Sequence, residues 1–532
     1  MAAEQKQQQR RIKKILGEVF GMETLRDGQR RVIDSVLAGR DTLAVMPTGS
    51  GKSLCYQLPA CLLEGATVVV SPLISLMKDQ AEKLEDGGIA SAAQINSSLS
   101  RSDELAALDA IGQADKDVIF CTPERLVTAD FLALLRQSRI ALVVVDEAHC
   151  ISQWGHDFRP AYLEIGAALD ALGRPPLLAL TATATDDVIA DIRNQLGRPR
   201  MEVVNTGIYR ANLHYRVKQV TNPDEKYAAA LQLVRDSEGV GIVYAATVKA
   251  AEEMHQLLLD AGESVTLYHG KLRASGRAEN QNLFMSGERR VMVATNAFGM
   301  GIDKSDTRFV IHLQVPANLE AYYQESGRAG RDGLDAECTL LYYHADKRLQ
   351  QYFLVKHYPS ALELRAVYEA AVALGQPSFS EAELKSLVDQ TPASQLKICL
   401  KMLKDGKLLK RNRKMAYVLA SGTPKAAQFE RMAQVYADKH ERDRAGLEQM
   451  VSYAQSGYCR WKLLLDYFGD RPDDFERCCR CDNCLSPPSI QDSPLQLEPS
   501  PPLEPAGAHT QTPAVPPAAA SRPIPASPPG FR

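Results

Sequence analysis

No run of about 18 uncharged apolar residues occurs in this chain, so no membrane-spanning helix is expected and no membrane partner follows. The segment Met1–Lys14 is rich in Gln, Lys and Arg and lacks an apolar centre, which argues against a secretory leader. A cytoplasmic location is the resulting expectation, at the nucleoid if the source is bacterial. Charge of one sign is not in excess either. With a formal net charge of −3 over 532 residues, nucleic-acid binding would have to come from local basic surface, not from the overall field. Cysteine pairs are missing from most of the chain: Cys55, Cys61, Cys121, Cys150, Cys338 and Cys399 stand singly in apolar runs, where a thiol behaves as a small hydrophobe. The other five cysteines cluster late, and in a reducing compartment such a cluster argues for metal rather than disulfides.

What is present divides into roughly three or four folding units. From residue 40 to about 345, short β-branched runs alternate with helical stretches, the pattern of parallel strands with crossover helices. Thr42–Met46, Thr67–Ser71, Asp117–Cys121, Ala141–Asp146 and Leu177–Thr181 read as strands of a first α/β domain. Val240–Tyr244, Val291–Thr295 and Phe309–Leu313 are the clearest strands of a second. Charged helical periodicity follows. From Ser486 begins a tail holding about half of the prolines and too little large apolar content to offset the entropy of ordering.

After the first strand comes Pro47-Thr48-Gly49-Ser50-Gly51-Lys52-Ser53 and then an apolar helical stretch. This pattern reads as a phosphate loop. Its glycines let backbone N–H groups turn toward phosphate oxygens, Lys52 neutralises the β and γ phosphates of ATP, and the Ser53 hydroxyl suits Mg²⁺. Asp146-Glu147-Ala148-His149 directly follows an apolar strand, at the carboxyl end where α/β sheets bind ligands. Asp146 suits the Mg²⁺ shell and Glu147 the attacking water, although a solvated acidic turn would look the same in isolation. Beyond these lie Trp154, His156, Phe158 and Arg159, flat side chains beside cations of the kind that stack on unpaired bases. A core role for Trp154 and Phe158 is the plainer alternative.

Taken in order, Pro47–Ser53, Asp146–His149, Thr181–Thr185 and Gln324–Arg331 resemble the motifs of superfamily-two helicases. Cys150–Pro160 and Phe298–Lys304 narrow the resemblance to the RecQ family, over about Phe20–Leu485. The resemblance implies two tandem RecA-like domains at 1–205 and 206–345, a helical zinc-binding subdomain at 346–485, and a disordered tail at 486–532. It implies an ATP-dependent DNA helicase of bacterial type without the family's further C-terminal helical domain. It implies 3′ to 5′ movement on single-stranded DNA, unwinding of duplex, and a setting in repair, recombination or replication. It further implies that Arg328 and Arg331, on one face if that segment is helical, reach the γ-phosphate from the second domain. Asp303 would contact the ribose or couple the lobes, and Arg26 and Gln29 would recognise adenine, although Met22 and Asp27 depart from the family pattern there. An RNA helicase and an ATP-driven switch that remodels protein–DNA complexes fit the same core motifs.

Cys459, Cys478, Cys481 and Cys484 suit one tetrahedral ion, with Cys479 as the spare. Zn²⁺ is the expectation, and an iron–sulfur cluster uses the same number of thiolates. Between core and cysteines, Ser360–Gly375, Ser380–Gln390 and Pro392–Lys404 read as helices and Leu408–Leu419 as a basic hairpin. Three helices and a wing describe a winged-helix-like insert at about 360–420, and an ordinary helical bundle with a charged turn fits the same pattern. RecQ proteins commonly carry their winged helix after the zinc cysteines, so this position departs from the family order. The tail, with Phe531 near its end, is the candidate site for a protein partner.

Overall fold

The computed structural model describes residues 2–486, except 87, 89, 97–98, 114–115, 153–158, 300–303, 357–358, 413–415, 421–423, 471 and 473. The tail expected to be disordered lies, from residue 487 on, outside the described residues.

Strands β1 (Thr42–Val45), β2 (Ala66–Val70), β3 (Ala92–Ile95), β4 (Val118–Cys121), β5 (Ile140–Val145), β6 (Leu177–Thr181) and β7 (Glu202–Asn205) form one parallel sheet in the order β3-β4-β2-β5-β6-β1-β7. Both faces are covered. Leu43, Val45, Val143 and Val145 pack into one core, while Ala44, Leu142, Val144 and Leu178 pack into the other, as a period of two demands. Each buried Val or Leu contributes about 1.5–3 kcal/mol relative to exposure, so runs of this length hold the sheet.

The second sheet comprises β8 (Leu213–Gln219), β9 (Val240–Tyr244), β10 (Val265–Tyr268), β11 (Val291–Ala294), β12 (Thr307–His312) and β13 (Ala336–Tyr342), again parallel, in the order β10-β11-β9-β12-β13-β8. β8 lies at the edge and exposes Arg216 and Lys218, so it carries no continuous apolar run.

The insert forms helices Ala361–Ala373, Glu381–Lys385 and Ala393–Asp405 and an antiparallel hairpin of β14 (Leu409–Arg411) and β15 (Tyr417–Leu419). Ser380 and Glu383 make the expected capping box. The helix expected to run to Gln390 stops at Lys385, whose Nζ folds onto the carbonyls of Val388 (3.3 Å) and Asp389 (2.6 Å). The insert closes its own core from Leu364, Val367, Leu400, Leu403 and Phe429. Phe429 opens the helix Ala426–Gln455, whose far end sends Leu447, Met450 and Ala454 into the core of the second sheet. Among the described residues no helix is long and apolar enough to cross a membrane.

Candidate nucleotide cleft and cysteine site

β5, β6 and β1 are consecutive in the first sheet, and parallel neighbours present their carboxyl ends together. Asp146-Glu147, Thr181–Thr185 and Pro47–Ser53 therefore share one rim. In the loop, Gly49 and Gly51 take φ of 76° and 80°, a region that favours glycine. A Cβ on Gly51 would lie 2.4 Å from Gln29 Nε2, and one on Gly49 3.2 Å from Arg331 Cγ. Gln29 Nε2 donates to the Ser50 carbonyl (2.9 Å) and Arg26 Nη1 to the Gly49 carbonyl (3.0 Å), so both residues set at sequence level against adenine also brace the loop.

Lys52 Nζ turns back on the carbonyls of Met46 (3.2 Å) and Pro47 (3.4 Å). Burial lowers its pKa; Glu147 and Asp146 oppose the shift and Arg331 adds to it. Asp146 accepts from Ser71 Oγ at 3.3 Å, and its carbonyl accepts from the Tyr162 hydroxyl at 2.9 Å. Burial first, and the Glu147 charge second, raise its carboxyl to about 7 against the pull of Lys52. Glu147 has φ 49° and ψ 48°, a left-handed conformation that costs a non-glycine residue roughly 1–2 kcal/mol. Its Oε2 lies 3.3 Å from His149 Nδ1, which is also 3.1 Å from Thr181 Oγ1, and that hydroxyl donates to the Thr183 carbonyl at 2.9 Å. His149 thus ties the acidic pair to the Thr181–Thr185 segment, a link that no spacing in the chain announces.

The second lobe closes the cleft. Thr48 Oγ1 donates to the Gly327 carbonyl at 2.8 Å. A cavity of about 370 Å³ remains, bounded by Arg26, Gln29, Gly49, Ser50, Tyr209, Arg210 and Arg331 among others. Ser50 Oγ is buried without a partner among the described residues, and the hydrogen bonds of Lys52 go to backbone carbonyls. Such a cavity fits a group rich in anionic oxygens. Asp146 and Ser53, on the same rim though not among the residues that line the cavity, carry hard oxygen donors of the kind Mg²⁺ takes.

Arg328 and Arg331 do not share a helical face. The helix Leu319–Ser326 ends at the Gly327 cap, and the arginines follow in turns, with Gly330 at φ 56°. Arg331 lines the cavity, whereas Arg328 is buried beside the Tyr244 hydroxyl, which donates to the Phe298 carbonyl at 2.8 Å. Arg210 was not foreseen. Its guanidinium donates to the carbonyls of Gly327 (2.8 Å), Ala329 (2.8 Å) and Gly330 (2.5 Å), and Asn212 Nδ2 to those of Gly330 and Leu334 (2.8 Å each). Both act on backbone, so neither leaves a paired signal in the sequence. Arg159 Nη1 donates to the Pro72 carbonyl at 3.4 Å, next to the acidic rim. Trp154, His156, Phe158 and Asp303 lie outside the described residues.

Sγ atoms of Cys459, Cys478, Cys481 and Cys484 all fall within 4.8 Å of one another. The N–H groups of Cys478, Cys481 and Arg460 donate to Cys459 Sγ (3.3 Å), Cys478 Sγ (3.3 Å) and Cys481 Sγ (3.4 Å), as suits thiolates; Cys479 is exposed. Four converging soft ligands fit Zn²⁺ in a structural site. The module is fastened to the edge strand β8. Trp461 Nε1 donates to the Leu213 carbonyl (3.0 Å), Asp482 accepts from Val217 N–H (2.8 Å) and from Arg460 Nε and Nη2 (2.9 and 3.0 Å), and Asp470 accepts from Ile208 N–H (2.6 Å).

Residues 26–192 match the DEAD/DEAH box helicase family, 225–333 the helicase conserved C-terminal domain, and 423–485 the RecQ zinc-binding family. The chain is 45% identical over 346 residues to the ATP-dependent DNA helicase RecQ of Bacillus subtilis, covering 65% of this chain and 58% of that protein. To RecQ of Synechocystis it is 35% identical over 492 residues, 89% of this chain and 98% of the relative. Among solved structures, the Mycobacterium smegmatis helicase Lhr bound to ssDNA and AMP-PNP aligns with a TM-score of 0.53 at 19% identity, over 81% of this chain and 60% of that one. At that identity the likeness is one of fold alone.

Proposed function

This chain belongs to the RecQ family of ATP-dependent DNA helicases, and on that premise we propose that it hydrolyses ATP in the interlobe cleft to move along single-stranded DNA and unwind duplex. The single observation that carries this reading is the direct bond from Thr48 of the phosphate loop to Gly327 of the arginine loop. A phosphate loop and an arginine loop in hydrogen-bond contact can transmit a change in the bound nucleotide to the relative position of the lobes.

In this reading the backbone of Thr48–Gly51 cradles phosphate and Lys52 neutralises the β and γ oxygens. A terminal phosphate would also restore the full charge that burial disfavours on Lys52. Ser53 and Asp146 would hold Mg²⁺, which offsets charge on the phosphate oxygens, and Glu147 orients the attacking water. Arg331, already on the cavity wall, and Arg328 stabilise charge as the terminal phosphate leaves. Arg26 and Gln29 flank the base, and Asp303 serves the ribose or lobe coupling. Trp154, His156, Phe158 and Arg159 engage unpaired bases, so that strand binding reaches the acidic rim through a short stretch of chain. Polarity is 3′ to 5′, the setting is repair or recombination, and the Pro-rich tail is where a protein partner would bind.

A strand-displacement assay on forked and tailed duplexes of both polarities tests this, with Lys52→Ala as control. Displacement by the wild type that vanishes in the variant is expected. Absence of displacement in both, with DNA binding intact, would end the helicase reading.

A further inference from the structure

Tyr209, half-buried, carries the one aromatic ring among the described residues that line the cleft cavity. Its segment stands against the turn that begins the helix Asp27–Leu37. A Cβ on Gly28 would fall 2.4 Å from Thr206 Cγ2, and Thr206, Arg26 and Gln29 line the same cavity. The apolar residues before Arg26 are committed elsewhere. Phe20 and Leu25 pack with Ile12, Leu16 and Leu58, and Met22 is exposed and not among the residues that line the cavity. Gln29 has little left for a base edge. Its Nε2 donates to the carbonyls of Ser50 (2.9 Å) and Gly51 (3.4 Å), and its Oε1 accepts from the Arg26 N–H (3.0 Å).

Tyr209 is held by its neighbours on every side that the chain offers. Ile208 before it is fixed at both backbone groups, its N–H donating to Asp470 (2.6 Å) and its carbonyl accepting from the Tyr323 hydroxyl (2.7 Å), and Arg210 after it grips the arginine loop. The ring itself meets Trp461 (centroids 5.0 Å apart, planes at 76°) and Phe475 (4.9 Å, 66°), edge-to-face contacts that fix its plane. Trp461 follows Cys459 by two residues and Phe475 precedes Cys478 by three, so a metal bound to those thiolates ties the two supporting rings together. We propose that Tyr209 stacks on the base of the bound nucleotide, with the cysteine module as the support that keeps its ring in place. An aromatic face accepts any base by stacking and reads no edge, so the contact adds affinity for the nucleoside and none for the phosphates. Because Tyr209 and Arg210 are consecutive, the base contact and the arginine loop are positioned by one short segment. This deepens the cleft reading given above and rests on it.

The test is calorimetric titration of the full chain with ADP and with inorganic pyrophosphate, which carry the same diphosphate and differ in the nucleoside. Tyr209→Ala is expected to weaken ADP binding roughly tenfold, the size of one stacked base, and to leave pyrophosphate binding unchanged. Tyr209→Phe keeps the ring and should bind ADP like the wild type. Tyr209→Leu keeps apolar bulk against Trp461 and Phe475 without a flat face, so it should show the same loss even where the alanine variant fails to fold. Phe475→Ala removes one support and should weaken ADP by a smaller factor, with pyrophosphate again unmoved. In DNA-stimulated turnover by Tyr209→Leu, KM for ATP should rise with a smaller change in kcat. Wild-type ADP affinity in Tyr209→Leu would overturn the inference, as would equal losses of ADP and pyrophosphate, the mark of a purely structural ring. Lys52→Ala marks the cleft itself: if it weakens neither ligand, the cleft reading falls and this inference with it.

Discussion

Thr48 Oγ1, on the phosphate loop of the first lobe, donates a 2.8 Å hydrogen bond to the Gly327 carbonyl of the second, and Arg210 Nη1 donates to that same carbonyl, also at 2.8 Å. One oxygen thus joins the phosphate loop, the arginine loop and the segment between β7 and β8. Thr48→Val keeps the shape and removes the donor. A neutral hydrogen bond is worth about 1 kcal/mol, so DNA-stimulated ATPase should fall about fivefold with the melting temperature nearly unchanged. Wild-type kcat in the variant would show the bond to be incidental.

Arg210→Lys tests the same junction from the other side. A guanidinium serves three carbonyls as a planar fork, and an ammonium cannot reproduce that geometry. The expected signature is a loss in kcat of roughly tenfold or more with a smaller change in KM for ATP, since Arg210 would act by positioning Arg331. Equal losses in ATP binding and turnover would point instead to direct contact with nucleotide.

Gly49→Ala should be more damaging than its size suggests. The added methyl meets Arg331 at 3.2 Å while the backbone is held at φ 76°. Left-handed strain alone costs roughly 1–2 kcal/mol. Steady-state ATPase should be nearly abolished, and tight nucleotide binding measured directly in the variant would contradict this account.

If Asp146 holds Mg²⁺ as proposed, cation binding should depend on pH. Burial, then Glu147, raise its carboxyl to about 7, above the unfolded value of about 4. A raised acid holds its proton in the folded state, so its contribution to stability is present at low pH and declines as pH climbs from about 4 to about 7. Cation binding needs the carboxylate and should strengthen across the upper part of that window, with proton release on binding. Calorimetry in buffers of different ionisation enthalpy reads that proton directly. No proton release by the wild type near neutral pH, or the same release by Asp146→Asn, would refute the assignment.

Chelation should loosen the cysteine module from β8. Metal analysis is expected to return about one zinc per chain, retained by Cys479→Ser, whose side chain is exposed, and lost in Cys481→Ser, whose side chain is buried in the cluster. Loss of zinc would free Asp482 and Trp461 from Val217 and Leu213, and amide exchange along β8 should rise. Full zinc content in Cys481→Ser would place the metal elsewhere.

Much of the site was legible because its chemistry is local. Phosphate binding needs glycines, a lysine and a hydroxyl within a few residues of a strand end, and Pro47–Ser53 supplies them consecutively. The capping box of Ser380 and Glu383 is likewise a matter of three residues. Where the reading failed, distant atoms decided. The helix expected to reach Gln390 ended at Lys385, because that side chain reached forward to later carbonyls. The common helical face proposed for Arg328 and Arg331 dissolved at the Gly327 cap.

By itself the sequence determined which groups could bind phosphate, acid-coordinated metal and thiolate-bound metal, since each needs particular atoms at short separations along one chain. Only the tertiary structure decided that Thr48 meets Gly327 across 279 positions, that Arg210 grips the arginine loop, and that Asp482 covers the open edge of β8. Those bonds end on backbone N–H and C=O groups, which every residue type carries alike, so side-chain identity leaves no trace of them until the sheets have stacked.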